Sequence, residues 1–205
     1  LFTSCTEKDN TVEEFADWQS KNETYWNKLY TATQQKIKSG DTSWKIILNY
    51  SYQNQKQTSG SALTYSPEDY IIAHVEQAGA GTTSPLYSDS VSMHYMGRLI
   101  PSTTYTSGLI FDKSWSNDTF NATTSRPAHS YLGLTYNAEG KSVSLVDGFT
   151  TALMSMHRGD HWTVYIPHQL GYGTSASGTV PAYSTLIFDL RLVDFSHPGT
   201  KLKDS

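Results

Sequence analysis

From Glu68 onward the chain breaks into short apolar runs, Tyr70 to Val75, Val91 to Leu99, Leu109 to Phe111, Trp162 to Ile166 and Leu186 to Phe195, separated by glycine- and serine-bearing turns. Runs of this length, rich in β-branched and aromatic residues and bounded by turn formers, read as strands of an antiparallel sheet. Only one stretch among them has a helical period. Phe149, Ala152, Leu153 and Met156 stand at i, i+3, i+4 and i+7, so residues from about 147 to 157 read as one short helix with Phe149 on its buried stripe. A sheet of short strands beside a single short helix gives an α+β fold class.

Alternation along the strands assigns side chains to faces. Val91, Met93, Tyr95, Gly97 and Leu99 share the inward face of their strand, with Ser92, His94, Met96 and Arg98 on the other. Leu186, Phe188, Leu190 and Leu192 share the inward face of the last strand. Before this region, Phe15, Trp18, Tyr25, Trp26, Leu29, Tyr30 and Ile37 recur mostly at three- and four-residue steps, predicting one amphipathic helix from Thr11 to Lys38, capped by Asn10 or Thr11 and stopped at Gly40. Trp44 to Tyr52 then predicts a strand and Gln53 to Ser61 a loop. The expected organisation is a tether at 1–10, a helix-plus-strand extension at 11–66, the main domain at 67–196 and a tail at 197–205.

Composition narrows the function classes. Charged residues make up 17% of the 205 and the net charge is −4, which leaves no electrostatic footprint for nucleic acid and no polybasic membrane patch. No apolar run approaches the roughly 20 residues that span a bilayer. His157 and His161 flank an Arg-Gly-Asp triplet at a turn, with no third ligand nearby in sequence, so no metal is expected. No nucleophile elbow, phosphate loop or dinucleotide fingerprint is present, and no cofactor is expected. Asn-x-Ser/Thr matches begin at Asn22, Asn49, Asn117 and Asn121 and read as chance products of polar loops.

Several unlinked motifs, in order, resemble the FKBP-type peptidyl-prolyl isomerases from about Tyr70 to Phe195. Val91-Ser-Met-His-Tyr-Met-Gly97 resembles the family strand whose inward tyrosine precedes a glycine; Ile110-Phe-Asp112 matches its phenylalanine-aspartate pair; Leu145-Val-Asp-Gly-Phe149 fits the segment opening its helix; Gly171-Tyr-Gly173 carries its loop tyrosine. The resemblance implies an antiparallel half-barrel sheet wrapped on one short helix, with an N-terminal helical extension. It implies a proline pocket walled by Tyr95, Phe111, Phe149 and Phe188, with Asp112 bonded near Tyr95, Tyr172 turned toward the ligand carbonyl, and Leu145, Val146 and Val180 contacting the substrate. Four departures stand out. Phe149 replaces the usual tryptophan floor, Ala128 falls where a phenylalanine often stands, Ile100 to Gly108 and Thr135 to Ser144 are insertions, and the Tyr172 to Pro181 loop is about one residue short.

The resemblance implies catalysis of cis-trans isomerisation at Xaa-Pro bonds of polypeptide clients, with activity reduced by the departures and inhibition by pocket-filling macrolides expected. The rival expectation is a catalytically weak chaperone or peptide-binding module that keeps the fold. Leu1-Phe-Thr-Ser-Cys5 followed by polar residues resembles the end of a bacterial lipoprotein signal, implying lipidation at Cys5 and a membrane anchor at the outer membrane, on its periplasmic or surface side. The N-terminal helix is expected either to pack on its own domain or to form a homodimer.

Overall fold

A computed structural model of the chain describes residues 11–56, 60 and 62–203; Cys5 and the expected tether lie outside them. Helix α1 (Trp18–Lys38) and strand β1 (Trp44–Leu48) precede β2 (Tyr70–Gln77), β3 (Ser90–Arg98), β4 (Ile110–Lys113), β5 (Ala128–Tyr131), β6 (Thr135–Tyr136) and β7 (Ser142–Val143). Helix α2 (Asp147–Leu153), β8 (His161–Ile166) and β9 (Leu186–Ser196) complete the chain order. Seven strands form one antiparallel sheet in the order β1-β2-β8-β9-β3-β4, with β5 also paired to β3. The remaining pair, β6 and β7, stands alone.

The inner face of the sheet wraps α2, as alternation predicts. Val91, Met93, Val164, Ile166, Leu186, Phe188, Leu190 and Leu192 are buried there with Phe149, Ala152 and Leu153 of the helix. The approach is close because Gly148 has no side chain: a Cβ there would run into Ile166. The outer face is covered as well. Lys36 of α1 lies 3.7 Å over the Trp44 ring, Tyr30 meets Tyr70, and the phenol of Tyr25 is pushed up to about 12 by burial and by neighbouring Tyr165. Further along, Phe120 folds over β3 and β9, against His94 at 4.8 Å and under the Arg191 guanidinium at 4.3 Å.

Three boundaries differ from expectation. Helix α1 starts at Trp18 and not Thr11, because Asp17 takes a left-handed conformation (φ 52°) and Phe15 turns back onto Trp18 at 4.8 Å. It stops at Gly40, as predicted, where φ is 94°. Strand β1 ends at Leu48 and not Tyr52: Asn49 turns to Asp147 (Nδ2 to Oδ2, 3.3 Å), and the Tyr50 N–H donates to the Thr151 hydroxyl at 3.0 Å, so the chain leaves the sheet for α2. Helix α2 ends at Leu153, where a turn begins, although Met156 is still buried.

Polar groups fasten α1 to the domain. The Trp18 indole donates to the Ser184 hydroxyl (2.8 Å), the Trp26 indole to the Pro67 carbonyl (3.1 Å), and Asn22, 1% exposed, accepts the Thr185 N–H (2.7 Å) while donating to the Trp18 carbonyl. A buried amide that loses its acceptor retains the cost of its desolvation. Asn22→Ala should therefore cost about 1–3 kcal/mol, read as a lowered urea midpoint; an unchanged midpoint would show that α1 is held by apolar contact alone.

The first insertion is clamped by the segment before α1. Glu14 accepts from the Ser102 hydroxyl and from the backbone N–H groups of Thr104 (2.9 Å) and Tyr105 (3.4 Å). These bonds, that from Ser102 foremost, lower its carboxyl from 4.5 to about 2. Because the folded value lies below the unfolded one, the clamp contributes stability above pH 4.5 and loses it as the pH falls toward about 2. Glu14→Gln should be less stable than the unaltered chain at neutral pH, with the gap closing on acidification in thermal melts; a pH-independent gap would contradict the clamp.

Candidate functional site

The inner face of β3 and the first turn of α2 bound a cavity of about 250 Å³. Tyr95 and Met93 come from β3, Phe111 and Asp112 from β4, Ala128, His129 and Ser130 from β5, Phe188 from β9, Phe149 from α2, and Ser144, Leu145, Val146 and Tyr172 from the flanking loops. Phe188 is the hub. Its ring meets Phe149 at 4.8 Å, Phe111 at 5.6 Å and Tyr95 at 6.3 Å, all edge-to-face, the arrangement the ring quadrupoles favour.

Gly97 makes that cluster possible. In the pairing it sits opposite both Asp112 on β4 and Phe188 on β9, and the register shifts between Gly97 and Arg98. A Cβ at Gly97 would stand 2.5 Å from Phe111 and 2.7 Å from Phe188. The two rings occupy the space a side chain would have taken, and the bulge re-aims the short edge strand so that Phe111 and Asp112 both reach the cavity.

One polar pair marks the rim. The Tyr95 hydroxyl donates to Asp112 Oδ2 at 2.9 Å. Burial, then the bond to the Asp112 carboxylate, pushes the Tyr95 phenol up to about 12, and burial, then the charge of Asp112, raises Tyr172. Both phenols keep their protons at neutral pH. The cavity offers aromatic walls with hydroxyl donors at its edge, and His129, Ser130 and Ser144 add polar groups to its lining.

Eight of the nine residues expected at the pocket come together: Tyr95, Phe111, Asp112, Leu145, Val146, Phe149, Tyr172 and Phe188. Val180 does not. It is 3% exposed in the core, and its N–H and C=O exchange bonds of 2.9 Å with Ser177, so it shapes the turn after Tyr172 and does not line the cavity. Met93 was legible from its place on the Tyr95 face; His129, Ser130 and Ser144 were not, because isolated polar residues at loop and strand edges carry no periodic signal. The Arg-Gly-Asp triplet is local architecture: Asp160 accepts from the N–H of His157 (2.9 Å) and of Gly79 (2.6 Å).

The fold and this aromatic box define a class, the prolyl isomerases of the FKBP type. The family profile described as FKBP-type peptidyl-prolyl cis-trans isomerase matches residues 81–193, and the chain belongs to that family. It is 33% identical over 149 residues to a macrophage infectivity potentiator of Trypanosoma cruzi, covering 72% of this chain and 63% of that one. It is 33% identical over 120 residues to the peptidyl-prolyl cis-trans isomerase Mip of Coxiella burnetii, covering 58% and 42%. The chain thus spans less than two thirds of these relatives. Among solved structures, a peptidyl-prolyl cis-trans isomerase from Pseudomonas syringae superposes with a TM-score of 0.53 at 19% identity, covering 91% of this chain and 99% of that one. FkpA from Escherichia coli gives 0.54 at 23%, covering 88% and 62%; at these identities the likeness concerns the fold.

Gly97→Ala tests the packing directly. The added methyl forces Phe111 or Phe188 out of place, and such overpacking costs about 1–3 kcal/mol. The expected result is a lowered urea midpoint with altered aromatic circular dichroism; a variant as stable as the unaltered chain, with the same spectrum, would contradict the packing described.

Proposed function

We propose that this chain catalyses cis-trans isomerisation of Xaa-Pro bonds in polypeptide clients. The observation that carries the reading is the cavity walled by Phe111, Phe149, Phe188 and Tyr95 with the Tyr95–Asp112 pair at its rim. Rotation about a prolyl amide meets a barrier of roughly 18–20 kcal/mol because the bond has partial double-bond character. The twisted transition state has lost that resonance and carries less charge on its carbonyl, so an apolar cavity binds it better than either planar isomer. No covalent step is needed. Phe111, Phe149 and Phe188 hold the proline ring, Tyr95 and Asp112 set the polar edge, and the Tyr172 hydroxyl and the Val146 backbone orient the chain.

Lipidation at Cys5 would place the domain outside the cytoplasm, anchored at a bacterial outer membrane, and a macrolide that fills the proline pocket would compete with clients. A homodimer through α1 would have to use its outward polar face, since Trp18, Asn22, Trp26 and Thr33 are buried. The rival reading, a weak holding module, draws on the small Ala128 side chain, which leaves one wall low.

The test is refolding of a client limited by a slow prolyl bond, with catalytic amounts of the chain lacking residues 1–10. Acceleration is expected, falling about tenfold, or about 1.4 kcal/mol of transition-state stabilisation, in Phe111→Ala with far-ultraviolet circular dichroism unchanged. No acceleration, with client aggregation suppressed at stoichiometric amounts, would favour the holding module.

A further inference from the structure

The β6–β7 hairpin occupies the second insertion and, among the described residues, has no neighbouring strand. Two residue pairs hold it, Thr135 with Val143 and Tyr136 with Ser142, and its turn is closed by the Asn137 N–H donating to the Lys141 carbonyl at 2.9 Å. An isolated two-stranded unit is marginal in water, yet this one exposes its apolar residues: Leu134 is 46% exposed, Tyr136 69% and Val143 47%. Its tip is electrically neutral, because Lys141 pairs with Glu139 at 3.1 Å. Directly paired residues share a face, so Tyr136 stands on the side of Ser142, and Ser144, the residue after β7, lines the cavity. The hairpin therefore runs directly into a wall residue of the site.

We propose that the hairpin is a client-contact arm, on which Tyr136, with Leu134 beside it, receives an apolar or aromatic side chain of the client about two residues from the bound proline. The inference rests on the isomerase reading. Geometry sets its spacing. Ser144 and Ser142 are two residues apart, at most about 7 Å of chain, and an extended client covers that distance in about two residues. The occupant is the client itself, because a chain held by its proline must leave the cavity past its wall, and the neutral tip with its apolar surroundings offers nothing to a charged segment. A tyrosine suits the task, presenting a large contact area on few rotatable bonds.

The test compares kcat/KM for three peptides: a minimal Xaa-Pro tetrapeptide, the same peptide extended by three residues that include phenylalanine, and one extended by glycine and serine, with extensions at either end in turn. The unaltered chain should prefer a phenylalanine extension over the minimal peptide by about tenfold, the scale of one good apolar contact, mostly through KM, with no gain from glycine and serine. In Leu134→Ser/Tyr136→Ser that ratio should fall to about one, and in Tyr136→Phe it should persist. Turnover of the minimal peptide with an equal ratio in the unaltered chain and the double serine variant would overturn the arm alone. Absence of turnover on every peptide by the unaltered chain would overturn the isomerase reading, and the arm with it.

Discussion

Phe188 packs against Phe149 at 4.8 Å and Phe111 at 5.6 Å, and the shape of the site depends on that ring keeping its place. It is held from below by the sheet, where β9 pairs with β8 and β3, and from the side by a helix that approaches closely because Gly148 lacks a side chain. Gly97 gives Phe188 and Phe111 their room. Burying such a ring stabilises the fold by about 1.5–3 kcal/mol, so the residues that form the box also form part of the core. Stability and site geometry are here the same packing problem.

The electrostatics are set by that packing. A cavity with apolar walls raises the cost of charge, which is why burial is the leading cause of the raised phenols at Tyr95 and Tyr172. Asp112 keeps its carboxylate at the rim, where the Tyr95 hydroxyl donates to it, and leaves the interior to the aromatic rings. This division suits a reaction whose transition state is less polar than its ground state. It would serve poorly for acyl or phosphoryl transfer, which needs donors aimed at developing charge.

Much of the fold was legible because its signal is periodic. The strands around β3, β8 and β9 and the stripe of α2 come directly from periods of two and three to four residues, and the motif around Tyr95, Phe111 and Phe149 brought most of the cavity into view. The features that escaped have a tertiary cause. The start of α1 is set by a left-handed Asp17 and by Glu14 reaching Ser102, a partner 88 positions away. β1 ends where Asn49 and Tyr50 turn to Asp147 and Thr151 on α2, contacts no local pattern encodes. Val180 reads as a wall residue in sequence, yet the short turn with Ser177 draws it into the core. The insertions were visible as extra residues, but nothing in their composition told a clamped loop from a free hairpin.

The central claim is that an aromatic box favours a twisted amide without transferring a proton. The most direct test is the pH dependence of kcat/KM for an Xaa-Pro peptide from roughly pH 7 to roughly pH 9. With Tyr95 held up at about 12 and Tyr172 above its usual value, the profile should be flat across that range. A bell, or a limb with a midpoint inside it, would mean that a titrating group takes part in turnover and would contradict this mechanism.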